Sequence, residues 1–120
     1  MALDTLDLTL LLDYYGELLP EKQRMYCDLF CNQDYSLAEI AAESGISRQG
    51  VHDALNHAEA SLREFERILG CAGRDARVRG AVAQAQEALL PLMQCGDRAV
   101  LQAGESLSAI LQSIRETIDT

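Results

Sequence analysis

Basic residues are scarce in this 120-residue chain: ten Lys and Arg stand against nineteen Asp and Glu, a net charge of −9. The shortage is uneven. Residues 1–70 carry five basic residues and thirteen acids, a net of −8, whereas residues 71–120 carry five arginines and six acids, a net of −1. A protein that holds nucleic acid broadly must neutralise several phosphates, so this balance opposes tight general binding to DNA or RNA. It favours a basic protein partner or a narrow local contact. Also missing is any uninterrupted apolar run near the ~20 residues that a membrane-spanning helix needs. Residues 1–12 contain Asp4 and Asp7 but no Lys or Arg, unlike a secretory or transit leader, and a cytoplasmic protein is expected. No Cys-x-x-Cys pair occurs. Cys27, Cys31, Cys71 and Cys95 fall in apolar helical settings where buried, reduced thiols are expected, and His52 and His57 diverge around their helix, so neither metal nor cofactor is expected. The chain also lacks a Ser/His/Asp or Cys/His arrangement, a phosphate loop and paired inward carboxylates, which argues against an enzyme.

What the chain does contain is a stretch from Ser36 to Leu55 with two helix starts written into it. Ser36 can accept a hydrogen bond from the amide of Glu39 while the Glu39 side chain reaches back, and Tyr35 can staple to Ile40. Ser47 can open a second helix in the same way, with Ile46 stapled to Val51. Between them Gly45 supplies the left-handed exit that a sharp turn requires. Leu37, Ile40, Ala41, Ile46, Val51, Ala54 and Leu55 fall where two crossing helices need apolar contacts, which predicts a helix-turn-helix.

Around this motif the periodicity predicts an all-α chain. A leucine-rich helix is expected over about Leu6–Leu18, capped by Asp4, Thr5 or Asp7, and a second over about Pro20–Asn32, with Pro20 in its first turn. The helix opened by Ser47 continues its apolar stripe through Phe65 to Ile68 or Leu69 and stops at Gly70. Gly70–Arg74 reads as a linker between a lobe over residues 1–70 and a helical pair over residues 71–120. The pair consists of about Asp75–Leu90 and Asp97–Ile118, with Pro91 as a breaker. Val78, Val82, Ala85, Leu89 and Leu92, like Val100, Gly104, Leu107, Leu111, Ile114 and Ile118, alternate at four and three residues, the period of two helices packed at a shallow angle. A short connection favours an antiparallel hairpin within the chain, and a homodimer pairing these helices between chains is the rival.

The segments Asp13–Arg24, Tyr35–Ala41 and Gly45–Val51 together resemble the YlxM-type proteins of Gram-positive bacteria over about Leu8–Gly70. The helix-turn-helix alone also resembles region 4 of sigma factors, and residues 71–120 match only in helical layout. The resemblance implies a sigma region 4-like lobe followed by a two-helix C-terminal hairpin. It further implies a regulatory role in the signal recognition particle pathway, with the particle's protein, its RNA or both as partners. A DNA-binding transcription regulator is the alternative.

In a DNA reader the first turns of the second helix face base edges. Here Ser47, Arg48, Gln49 and His52 stand there with Asp53 and Asn56, and Arg48 and Gln49 suit guanine and adenine. Asp53, Glu59, Glu64 and Glu66 on the same helix would repel a phosphate backbone. Lys22 and Arg24 form the other basic pair available to a phosphate or a partner.

Overall fold

The computed structural model describes residues 5–119, with side chains from Asp7 onward. Asp4, an expected cap of the first helix, lies outside them, as do the side chains of Thr5 and Leu6. Six α-helices account for most of the described residues: α1 (Thr5–Tyr15), α2 (Glu21–Asn32), α3 (Leu37–Ser44), α4 (Arg48–Leu69), α5 (Cys71–Met93) and α6 (Arg98–Asp119). The all-α class read from the periodicity holds, and the chain falls into two compact units, Met1–Ala72 and Gly73–Thr120.

In the first unit, α1 to α4 enclose a single apolar core. Leu8, Cys27, Ile40, Val51, Leu55, Ala58 and Leu62 are fully buried, and Leu11, Leu12, Tyr15, Leu19, Tyr26 and Ala41 nearly so. Not every predicted core leucine is inside: Leu10 and Leu18 stay exposed. Gly16 is where the α-helical turn tightens into a 3-10 turn, Gly16–Leu18, so the first helix is shorter than the leucine run suggests. Pro20 is the residue before α2, not its first turn, and its carbonyl accepts from the Arg24 amide at 3.0 Å. Asp34, with φ of 57°, carries the chain from α2 to α3, where the Tyr35 amide returns to the Leu29 carbonyl at 3.0 Å.

Both predicted helix starts form. Ser36 Oγ accepts from the Glu39 amide and Glu39 Oε1 from the Ser36 amide, each at 3.1 Å. Ser47 Oγ accepts from the Gly50 amide at 2.9 Å. Gly45, at φ 71°, closes α3, with its own amide and that of Ile46 both directed to the Ala41 carbonyl. Ile46, expected to staple to Val51, stays 40% exposed, while Val51 itself is fully buried in the core.

Three expectations, on the stripe of α4, the linker and the start of α5, are corrected. The buried stripe of α4 ends at Leu62 and Phe65, leaving Ile68 and Leu69 exposed. The predicted linker Gly70–Arg74 contracts to Gly70 alone. At φ 64° Gly70 closes α4, and α5 starts at the next residue because its first two amides already have acceptors. The Cys71 amide donates to Tyr15 Oη and the Ala72 amide to Glu66 Oε1, each at 3.0 Å, while Tyr15 Oη itself donates to Glu66 Oε1. A helix start capped by side chains distant in sequence needs no local capping residue, and local reading misses it. Burial first, then the Glu66 hydrogen bond, pushes the Tyr15 phenol up to about 12.

In the second unit α5 runs through Pro91 to Met93, since the lost amide falls in an exposed last turn that finishes with 3-10 bonds from Gln94 to Pro91 and Cys95 to Leu92. Asp97 caps α6 by accepting from the Ala99 amide at 2.8 Å. The two helices run antiparallel. Arg79 pairs with Asp119 at 2.9 Å, Arg115 Nη1 donates to Gln86 at 3.3 Å, and buried Gly104 faces Leu89 and Met93. The seam comprises Val82, Leu89, Gly104 and Leu111. Leu92, Leu107 and Ile114, expected in it, are exposed instead, because a repeat of four and three cannot distinguish one stripe from two adjacent ones.

The thiols are less uniform than expected. Cys27 is buried, Cys31 and Cys71 are half-buried, and Cys95 is exposed in the turn between α5 and α6. Burial pushes the Cys27 thiol up to about 12, with Cys31 and Glu59 adding to the effect.

Candidate nucleic-acid and partner interface

The amino-terminal turns of α4 are presented at the surface because the opposite face of the helix, Val51, Leu55, Ala58 and Leu62, is fully buried against α1, α2 and α3. Arg48 and Gln49 are exposed, His52 and Asn56 half-buried. Arg48, Gln49 and His52 line, with Leu37 of α3, a shallow cavity of about 430 Å³. Three of the six candidate contact residues are thus brought together at one place. Ser47 is beside them, but its Oγ is committed to the Gly50 amide, so its role is to start the helix.

The chemistry of this surface is narrower than a base-reading helix would offer. Gln49 Nε2 donates to Asp53 Oδ1 at 2.9 Å, one turn along, which ties down the amide best suited to adenine. His52 Nδ1 lies 3.3 Å from Asn56 Nδ2 and 3.9 Å from Asp53. Arg48 alone offers a positive charge there, and among the described residues no carboxylate pairs with it. Acidic groups crowd the flanking helix instead: Glu43, then Glu39, hold the Tyr35 phenol above its ordinary range.

Not every acid on α4 faces outward. Glu59 is only 8% exposed, with Oε1 accepting from Arg63 Nε at 3.0 Å and Oε2 lacking a protein partner, and Glu66 serves Tyr15 and the start of α5. Glu64 is bound by Arg67, which holds its carboxyl below the usual range. The repulsion expected from four acids therefore comes mainly from Asp53.

Lys22 and Arg24 are exposed on the first turn of α2, and neither lines the cavity at Arg48. Arg24 belongs to a different depression, of about 560 Å³, between α1 and α2. Its lining carries four carboxylates, Asp13, Glu17, Glu21 and Asp28, together with Leu12 and Met25. Sequence reading missed this acidic depression, although Asp13 and Glu17, like Glu21 and Asp28, stand at helical spacings that could have exposed it. The Gln49–Asp53 tether, at four residues, was legible in the same way.

Comparison with known proteins agrees with this geometry. The chain matches, over residues 3–90, the family described as "Putative helix-turn-helix protein, YlxM / p13 like". It is 38% identical over 110 residues to a UPF0122 protein of Symbiobacterium thermophilum, covering 92% of this chain and 96% of that one. A UPF0122 protein of Halalkalibacterium halodurans is 36% identical over 110 residues, covering 92% and 93%. A third, from a Thermoanaerobacter species, reaches 51% over 71 residues, 59% of this chain and 61% of its own. With its two capped helices, left-handed Gly45 and buried Ala41, the chain belongs to this YlxM / p13-like helix-turn-helix family.

Proposed function

We propose that this protein is a non-enzymatic, cytoplasmic accessory factor of the bacterial signal recognition particle pathway. Its acidic helix-turn-helix lobe docks on a basic surface of the particle's GTPase, and Arg48 contacts one RNA phosphate or base. The observation that carries this reading is electrostatic. A helix-turn-helix whose lobe has a net charge of −8 and whose exposed helix start offers a single cation is poorly matched to duplex DNA and well matched to a basic protein. The depression between α1 and α2 supplies a concave surface with four carboxylates for that contact, and the particle as partner comes from the resemblance of Asp13–Arg24 and the helix-turn-helix to YlxM-type proteins. The alternative, a DNA-binding regulator, is favoured by the intact turn and by exposed Arg48.

Fluorescence anisotropy of labelled protein at ~0.15 M salt, against the particle's GTPase, its RNA and random duplex DNA, separates the two readings. Saturable binding to the GTPase or RNA without binding to DNA is expected. Arg48→Ala then weakens an RNA contact and leaves a protein contact unchanged, whereas paired reversals at Glu17 and Glu21 to Lys weaken the protein contact. Binding to duplex DNA alone would overturn the proposal in favour of the regulator.

A further inference from the structure

The hairpin closes its seam within one chain and leaves a second apolar face open. Helical geometry turns 100° per residue, so the exposed residues divide into two flanks on either side of the seam. One flank is marked by its polar links, Arg79 to Asp119 and Gln86 to Arg115. On the other flank α6 presents Leu107, Ile110 and Ile114, which are 45%, 57% and 39% exposed. Beside them, on the same flank of α5, lie Ala81, Ala85 and Ala88, with Leu92, 49% exposed, at the end of the row.

We propose that this face binds the same face of a second copy of the chain, giving a twofold four-helix bundle in which the large α6 residues of each copy lie over the α5 alanines of the other. Three features select a second copy over another partner. The face is self-complementary, bulky on α6 and small on α5 from Ala81 to Ala88, as a twofold interface requires, since a patch that pairs with itself must contain both its projections and the recesses that receive them. It carries no charged side chain from Ala81 to Ala88 or from Leu107 to Ile114 on that flank. The unit containing it is also nearly neutral, with five arginines against six acids, so two copies approach without the repulsion that the first 70 residues would cause. This inference is independent of the partner proposed above, because it uses neither the acidic lobe nor Arg48.

Sedimentation velocity of the full chain across micromolar concentrations tests it, with circular dichroism to check helix content. The wild-type chain is expected to sediment at twice the chain mass. Ile110→Glu should convert it to a monomer of unchanged helicity, whereas Leu90→Glu, an equally exposed residue on the opposite flank, should leave it dimeric. Ala85→Glu, on the small side of the face, should repeat the effect of Ile110→Glu. A wild-type monomer throughout, or a dimer that survives both Ile110→Glu and Ala85→Glu, would overturn the proposal.

Discussion

The lobe and the hairpin have similar proportions of apolar residues and end with very different interiors. Four helices and a turn surround Leu8, Ile40, Leu55 and Leu62 on every side, and each is fully buried. Two helices can cover each other along one line only. The hairpin therefore buries Val82, Leu89 and Leu111 along its seam and leaves Leu92, Leu107, Ile110 and Ile114 uncovered by the rest of the chain. The difference lies in the number of neighbours, since each unit contains a strongly amphipathic helix, α4 in the lobe and α6 in the hairpin. A helical stripe becomes core only when elements close over both of its flanks.

The sharpest way to break this comparison is to truncate one core residue in each unit. Leu55→Ala should cost about 2–5 kcal/mol, because the lobe surrounds the resulting cavity and relaxes little. Leu111→Ala, at a seam formed by only one facing helix within the chain, should cost at most about 2 kcal/mol. Urea unfolding measured by circular dichroism gives both values, and equal losses would mean that the hairpin is as well packed as the lobe.

A smaller effect is expected where the lobe holds the start of α5. Tyr15→Phe removes the hydroxyl that accepts from the Cys71 amide and donates to Glu66, and should cost about 1–3 kcal/mol, with faster hydrogen exchange at Cys71. In the same lobe the Cys27 thiol is held up to about 12 when folded and ionises near 9 when unfolded. Its contribution is fully present below pH 9 and is lost as pH rises from there toward 12, because only the unfolded chain releases the proton over that range. Alkaline melts of the wild type and Cys27→Ala should converge as pH rises; parallel curves would mean that Cys27 is not the group responsible.

Smaller still, Ser36→Ala and Ser47→Ala should each cost about 1 kcal/mol, the price of one helix cap. Ser36→Ala should cost more, since it also strands the reciprocal bond from Glu39. The subtlest contrast is chemical and leaves stability unchanged: a thiol reagent should modify exposed Cys95 in the hairpin first and buried Cys27 only on unfolding. Cys95→Ser should abolish the fast phase.

Legibility in the sequence was set by range. Both capping serines, Gly45, Gly70 and the stripe from Val51 to Leu62 act within four residues of their partners or repeat with a fixed period, so they were legible. The immediate start of α5 was not, because its acceptors are Tyr15 and Glu66, of which Tyr15 lies 56 residues from the amide it serves. The split of the α6 stripe into a seam and an open face was also hidden, since Gly104 and Leu107 satisfy the same repeat until a neighbouring helix takes one and leaves the other. At the candidate interface, the position of Arg48 was legible from Ser47, but the separation of Arg24 into another depression depended on how α1 and α2 pack. The burial of Glu59 likewise depended on α4's neighbours and could not be seen in an acid count.

The cap at the beginning of α5 also carries information about time. Nucleating a helix is the expensive step, and extension is cheap once a first turn is held. The first turn of α5 is held by a phenol contributed by α1 and a carboxylate near the end of α4, groups that come together only after the lobe has closed around its core. During synthesis those groups leave the ribosome before α5 does, so the finished lobe is ready to serve as the template from which the hairpin grows.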